Sequence, residues 1–468
     1  MTVDIEAARQ RVAELLTEYR IPSAAVGIRH GGRITEFAVG VRDVTTGAPA
    51  TVDTIYQCGS MTKTWTALAF LRMCELGPVA LDEPVRTWLP EFTLADSRVA
   101  AALTPRQLLN HTSGIEESFG DPGEGEDVYA RMVANIADAP QVFPLGHTHG
   151  YSPALGYAIL ARIMEVAGGA PWHDILRRLV FEPLGQRDTT CLPWEVDRER
   201  AATGHVVMSP EQGPVPSPVE YLPRAYGPGG WVNSTVRDVL ALAGVFLGTG
   251  GSTTGAAARA GRGPGALLAP ASVREMMDSR VPVPDPYLFG PEWALGLIVC
   301  DWQGHTVFAS DGSTIGHNAR LRIFPEHDLA ITVLTNGGPR ESFAARAFDA
   351  ILAGLDAPRP PEPPKPDPAL RLDPARYVGE YSRPGTRFEV TARGDRLRLA
   401  LLPDPVHARI LGGTDRLEYD LLPISETHFL VPPSHPDEDP QTLALYDFGE
   451  GTARYLHINC RVHPRGPA

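Results

Sequence analysis

The stretch YQCGSMTKTWTALAFL, residues 56–71, sets Ser60 three positions ahead of Lys63 at the start of a segment with helical periodicity. Residues i and i+3 share a helix face, so the lysine amine can reach back to the serine hydroxyl. A hydroxyl is a poor nucleophile at neutral pH until a neighbouring base takes its proton. A lysine shielded from water by Tyr56 and Trp65 loses part of its basicity and becomes available as that base. The backbone N–H of Ser60, at the open end of a helix, would face the oxyanion formed on attack. A helix cap followed by a solvated lysine fits the same S-x-x-K spacing, and spacing alone does not separate the two readings.

The elements that must position this pair are legible in outline. Trp65, Leu68, Ala69 and Met73 are spaced for one buried helix face, with Gly77-Pro78 as the stop. Residues 5–17 show helical periodicity, and residues 23–43 form two strands about a Gly31-Gly32 turn. LTPRQLLNHTSG offers Thr104 as N-cap, Pro105 at the first helical position and Gly114 as terminator. Further helices are predicted at 154–169 and 234–248, the second capped by Asn233 or Ser234, with a glycine-rich mobile loop over Gly248–Gly265. After residue 290 four strand-like runs precede a helix at 341–355. Strands at both ends with helices between predict an α+β domain over 1–355: one antiparallel sheet, flanking helices and a helical insert. Residues 356–371 are proline-rich and form a linker. Residues 372–468 carry short strands punctuated by turn residues, the pattern of a small antiparallel β-barrel.

Composition narrows the function classes. A chain of 468 residues exceeds what one core supports. Its 43% apolar and 21% charged residues are ordinary for a soluble protein, and no run approaches the ~20 apolar residues of a membrane span. A net charge of −14 argues against nucleic acid or an anionic membrane as partner. Five scattered cysteines without C-x-x-C spacing, and charged residues through the first twenty positions, point to a reduced cytoplasm and no secretory signal. His147 and His149 in GHTHG lack a nearby carboxylate set, so neither a metal nor another cofactor is expected.

Seven segments in order, CGSMTKTWTALAFL, LDEPVRTWLPEF, LTPRQLLNHTSGI, YSPALGYAILARIMEVAGG, FEPLGQRDTT, GPGGWVNSTVRDV and GSTIGHNARLRIFPEHDLAITVLTNGG, resemble the serine hydrolases of the penicillin-binding-protein and class C β-lactamase superfamily. The resemblance covers most of residues 8–355. It implies Ser60 as acylated nucleophile and Lys63 as its proton partner. The family's Tyr-x-Asn motif falls on Tyr151-Ser152-Pro153, which implies Tyr151 as proton shuttle, held as phenolate by the neighbouring ammonium. Pro153 stands where an asparagine amide would contact Lys63 and a substrate carbonyl. The third motif falls on Ser310-Asp311-Gly312, where Ser310 lacks the positive charge that recognises a substrate carboxylate. Gly312 still allows close backbone approach, with the Ser313 N–H as second oxyanion donor. Gly229, Gly230 and Trp231 match a segment lining the cleft. Both departures point away from carboxylate-bearing β-lactams. His111 and Cys58 are expected to be architectural, and His317 structural or substrate-facing. The acidic run 120–127 is a solvated face or an attraction for a substrate amine.

The C-terminal segment resembles the lipocalin-like barrel of some superfamily members, including D-amino-acid-specific aminopeptidases, esterases and penicillin-binding-protein-type thioesterases. The last group implies a trans-acting enzyme that takes a peptidyl thioester from a carrier protein and releases it by head-to-tail macrolactamisation. An esterase or D-stereospecific peptidase is the alternative within the class, and a non-catalytic ligand-binding homologue is the alternative outside it.

Overall fold

The computed structural model describes residues 4–117, 120–208, 212–247, 267–338, 341–403, 415–433 and 439–466. The predicted Gly248–Gly265 loop lies outside the described residues.

One nine-stranded sheet organises the first 355 residues, and strands from both ends of that segment complete it. Ser23–His30 pairs antiparallel with Arg33–Asp43 on one side and with Leu329–Thr335 on the other. Gly31 and Gly32 make the tight hairpin turn at φ +56° and +76°, where a side chain would be strained. The next neighbours are His317–Phe324, His305–Thr314 and Ile298–Trp302, all antiparallel. His317–Phe324 and Leu329–Thr335 are buried throughout, because helices cover both faces of the sheet. Helices Ile5–Glu18 and Glu341–Leu352 pack on one face around Val12, Leu15, Trp302, Phe343 and Phe348. The other face carries Thr62–Leu76, Leu155–Gly168 and Val236–Ala243, with Trp65, Leu68, Tyr157 and Leu240 in their shared core.

Three local expectations are corrected. Thr62–Leu76, the nucleophile helix, is buried on every side from Thr62 to Leu71 rather than along one face, because it runs through the middle of the domain. Thr104 and Gln107 form the capping box, but that helix ends at Leu109; Gly114 lies in a later turn, where a Cβ would come within 2.2 Å of the Phe143 carbonyl oxygen. Helix Val236–Ala243 is capped by Thr235, while Asn233 and Ser234 pair as a short strand with Tyr56–Gln57.

Residues 358–367 carry neither helix nor strand. Beyond them, eight antiparallel strands from Gly379–Arg383 to Arg461–Pro464 follow one another in sequence order. A Tyr381–Arg465 bridge and the Gly466 N–H on the Glu380 carbonyl bring the ends together, so the barrel nearly closes around Tyr377, Phe388, Phe429, Leu443 and Leu456. It is seated on the first domain by polar contacts. Arg383 holds Glu116 through two bonds of 2.7 and 2.9 Å, and Asp439 accepts the Glu341 and Ser342 N–H groups that open helix Glu341–Leu352. Among the described residues no helix is long and apolar enough to cross a membrane.

Candidate active site

Ser60 occupies a 3₁₀ turn, Gly59–Met61, that leads into the nucleophile helix. This turn presses against strand His305–Thr314 through two glycines. A Cβ on Gly59, at φ +51°, would lie 2.6 Å from the Ser313 nitrogen, and one on Gly312 would lie 1.9 Å from the Cys58 carbonyl and 2.7 Å from the Ser60 nitrogen. Absent side chains therefore bring the backbones of Ser60 and Ser313 side by side.

One turn along, Lys63 is only 2% exposed. Its ammonium donates to the carbonyl oxygens of Pro153 at 3.0 Å and Gly229 at 2.9 Å, and lies 4.9 Å from the Tyr151 ring centre. Burial draws this amine down to about 7, opposed by the Glu117 carboxylate and assisted by the Arg461 cation. A neutral amine is thus accessible near neutral pH. Gly229 makes room for it: a Cβ there would stand 2.8 Å from the Lys63 Nζ. At the position of the family asparagine, Pro153 serves Lys63 with its backbone oxygen.

Burial pushes the Tyr151 phenol well above its ordinary value, a rise that the neighbouring Ser60 hydroxyl opposes. The direction of that shift favours the neutral phenol over the expected phenolate, and burial is its main cause. Its ring packs against His111, Phe289 and Trp293. Its backbone is gripped by the barrel: the Tyr151 N–H donates to the Cys460 carbonyl and Arg461 donates to the Tyr151 carbonyl, each at 3.1 Å. Glu117 binds the next residues, taking the Ser152 hydroxyl on one oxygen and the Leu155 N–H on the other at 3.2 Å.

The third motif is split across the sheet. Ser310 faces the nucleophile helix, where its buried hydroxyl meets Thr64 Oγ1 at 2.7 Å and Thr64 in turn donates to the Gly296 carbonyl. Asp311 is turned to the opposite face, where it pairs with Arg322 at 3.0 Å beneath Phe348. The expectation that Asp311 lines the substrate cleft is corrected: successive strand residues point to opposite faces. Trp231 anchors its indole N–H on the Leu222 carbonyl and meets the exposed Trp194 edge-on, with Gly230 against Leu222.

Other sequence candidates resolve into supports. His111 accepts the Ser152 N–H through Nδ1, and His317 is buried against Tyr56, which depresses its basicity to about 3. Burial raises the Cys58 thiol far from thiolate formation. His147 pairs with Asp447 of the barrel and His149 is buried beside Trp293. In the acidic run, Glu124 accepts the Arg224 N–H, and with Glu117, Asp121 and Tyr226 it borders an open pocket of about 450 Å³. No motif or spacing in the sequence marks Glu117, Cys460, Arg461 or Thr64.

A serine beside a buried phenol and a buried amine drawn towards neutrality has the residue types that serine acyl transfer uses. Residues 8–356 match the family model described as Beta-lactamase, and the chain belongs to that family of serine hydrolases. It is 36% identical over 386 residues to Penicillin-binding protein 4 of Amycolatopsis lactamdurans, an alignment covering 81% of this chain and 97% of that one. Esterase EstB of Burkholderia gladioli is 35% identical over 204 residues, 40% of this chain and 51% of the esterase. The crystal structure of SurE superposes with a TM-score of 0.76 at 25% identity, covering 98% of this chain and 99% of SurE, barrel included.

Proposed function

We propose that this protein is a trans-acting peptidyl thioesterase that releases a carrier-bound peptide by head-to-tail macrolactamisation. The observation that supports the reading is the gathering of Ser60, Lys63 and Tyr151 beside a barrel that touches Tyr151, in an architecture shared over almost its whole length with SurE, which has also been crystallised with D-Leu.

In this reading Ser60 Oγ attacks the thioester carbonyl while its proton passes through Tyr151 to Lys63. The Ser60 and Ser313 N–H groups receive the oxyanion. The C–S bond breaks, the proton returns to the departing thiolate, and the peptide is left as an ester on Ser60. The peptide's own amine then attacks that ester, loses its proton to the relay, and restores the serine hydroxyl as the amide closes. An amine held in attack geometry reaches an effective molarity of about 10⁵ M, enough to outcompete water at roughly 55 M. Ser310 offers no cation for a substrate carboxylate, in keeping with an acyl donor that has none free. The likeness to an esterase supports a second reading, hydrolysis of small esters or D-residue peptides, which shares every step up to the acyl-enzyme.

Mass spectrometry of the products from a linear peptidyl thioester ending in a D-residue distinguishes the two. A Ser60-dependent product lighter by one water than the linear acid is expected. Linear acid alone would replace the cyclase reading with the hydrolase one, and a Ser60→Ala chain that still binds these substrates, beside an original chain that turns none over, would return a ligand-binding role.

A further inference from the structure

Resting on the acyl-transfer reading of Ser60 and Lys63, we infer that Glu117 is a positioning residue of this site: it holds the turn that presents Tyr151 and the Pro153 carbonyl, and it is the anion that faces Lys63. Pro153 meets Lys63 through its backbone carbonyl rather than a side chain, so the turn that carries that carbonyl has to be held. Glu117 does so from both flanks of the proline. One carboxylate oxygen takes the Ser152 hydroxyl, the other takes the Leu155 N–H at 3.2 Å, and Pro153, between these two anchors, aims its carbonyl at Lys63 Nζ 3.0 Å away. Ser152 is fixed further, its oxygen accepting the Gly156 N–H at 2.8 Å and its N–H reaching His111 Nδ1 at 3.1 Å. The carboxylate also stands at the first turn of helix Leu155–Gly168, where unpaired N–H groups favour negative charge.

The charges that bear on Lys63 come from two elements. Glu117 raises its proton affinity and Arg461, from the barrel, lowers it. The aromatic neighbours Tyr151 and Tyr157 are held as neutral phenols by burial, and His111 is held neutral by burial too. Replacing Glu117 by a neutral residue leaves Arg461 unopposed, so the amine is freed at lower pH. A purely structural role would lower the rate without moving its pH dependence.

The test follows phosphonylation of Ser60 in the full chain by a fluorophosphonate probe, in which Oγ displaces fluoride from phosphorus, read by intact-protein mass spectrometry across pH. Glu117→Gln is expected to move the acidic midpoint down by about one pH unit, with roughly tenfold loss of the plateau rate. Glu117→Asp, which keeps the charge, is expected to lose plateau rate while its midpoint stays near the original. A Gln variant whose midpoint coincides with the original overturns the electrostatic part. Should Gln fail to fold, Ser152→Ala keeps the charge and removes one anchor: a roughly tenfold lower plateau at an unmoved midpoint is expected, and an unchanged plateau overturns the anchoring part. Absence of any Ser60 adduct in the original chain would instead sink the acyl-transfer reading on which the inference stands.

Discussion

Tyr151 is gripped by two regions of the chain that differ in almost every respect. On the hydrolase side, Ser60 neighbours its hydroxyl and Lys63 Nζ lies 4.9 Å from its ring centre, both from one continuous turn and helix. On the barrel side, Cys460 and Arg461 hold its backbone from a hairpin turn some 310 residues away in the chain. That turn places Asn459 and Cys460 at φ +50° and +65°, the conformation a two-residue hairpin turn demands. Asparagine tolerates it, whereas cysteine in the left-handed region costs stability; the Cys460 side chain packs with Tyr151 and Trp293, which offsets that cost. The chemistry is written on one side and the placement of the proton relay is set from the other.

The largest effects are expected on the chemical side. Ser60→Ala should reduce turnover to background in a steady-state assay, and Lys63→Ala or Tyr151→Phe should each lower kcat by about 10²- to 10⁴-fold with the circular dichroism spectrum unchanged. Near-native rates in either relay variant would remove its role. The barrel side should give a smaller effect with a distinctive sign. Arg461→Ala removes the cation that depresses the Lys63 amine, so the acidic limb of the pH–rate profile should move to higher pH, opposite to Glu117→Gln, alongside a kcat lower by roughly tenfold through loss of a charge-assisted bond to Tyr151. A shift in the same direction for both variants would contradict the electrostatic account.

Seating of the barrel is sharpened by Arg383→Ala, which strands the buried Glu116 carboxylate. Chemical denaturation should show a loss of about 3 kcal/mol, more than Arg383→Met with its retained packing. The smallest effect is expected at Thr64→Val. That change deletes the bonds to Ser310 and Gly296 and should cost about 1 kcal/mol in stability while leaving turnover within a few fold.

The same contrast explains what could be read in advance. Ser60 and Lys63 are three residues apart, so local helix geometry already brought them together, and the Gly31-Gly32 hairpin, the final strands and the proline-rich segment carry equally local signals. The burial of the nucleophile helix on all sides escaped that reading because it depends on what the other helices cover. The Pro153 side chain has no donor, but its carbonyl is the atom that meets Lys63, and residue identity says nothing about where a backbone oxygen points. Ser310 and Asp311 are adjacent in one sequence motif, yet strand alternation sends them to opposite faces. Glu117 and Arg461 had no spacing to announce them: one comes to Tyr151's flank from 35 residues before Ser152, the other from the barrel's last hairpin.

The most direct test of the account is the pH dependence of acyl-enzyme formation at Ser60, followed by intact-protein mass after mixing with a simple thioester. A Ser60-dependent adduct is expected, its rate of formation rising through a midpoint near pH 7 set by the buried Lys63 amine. An adduct that survives Ser60→Ala, or a rate indifferent to pH across that range, would contradict it.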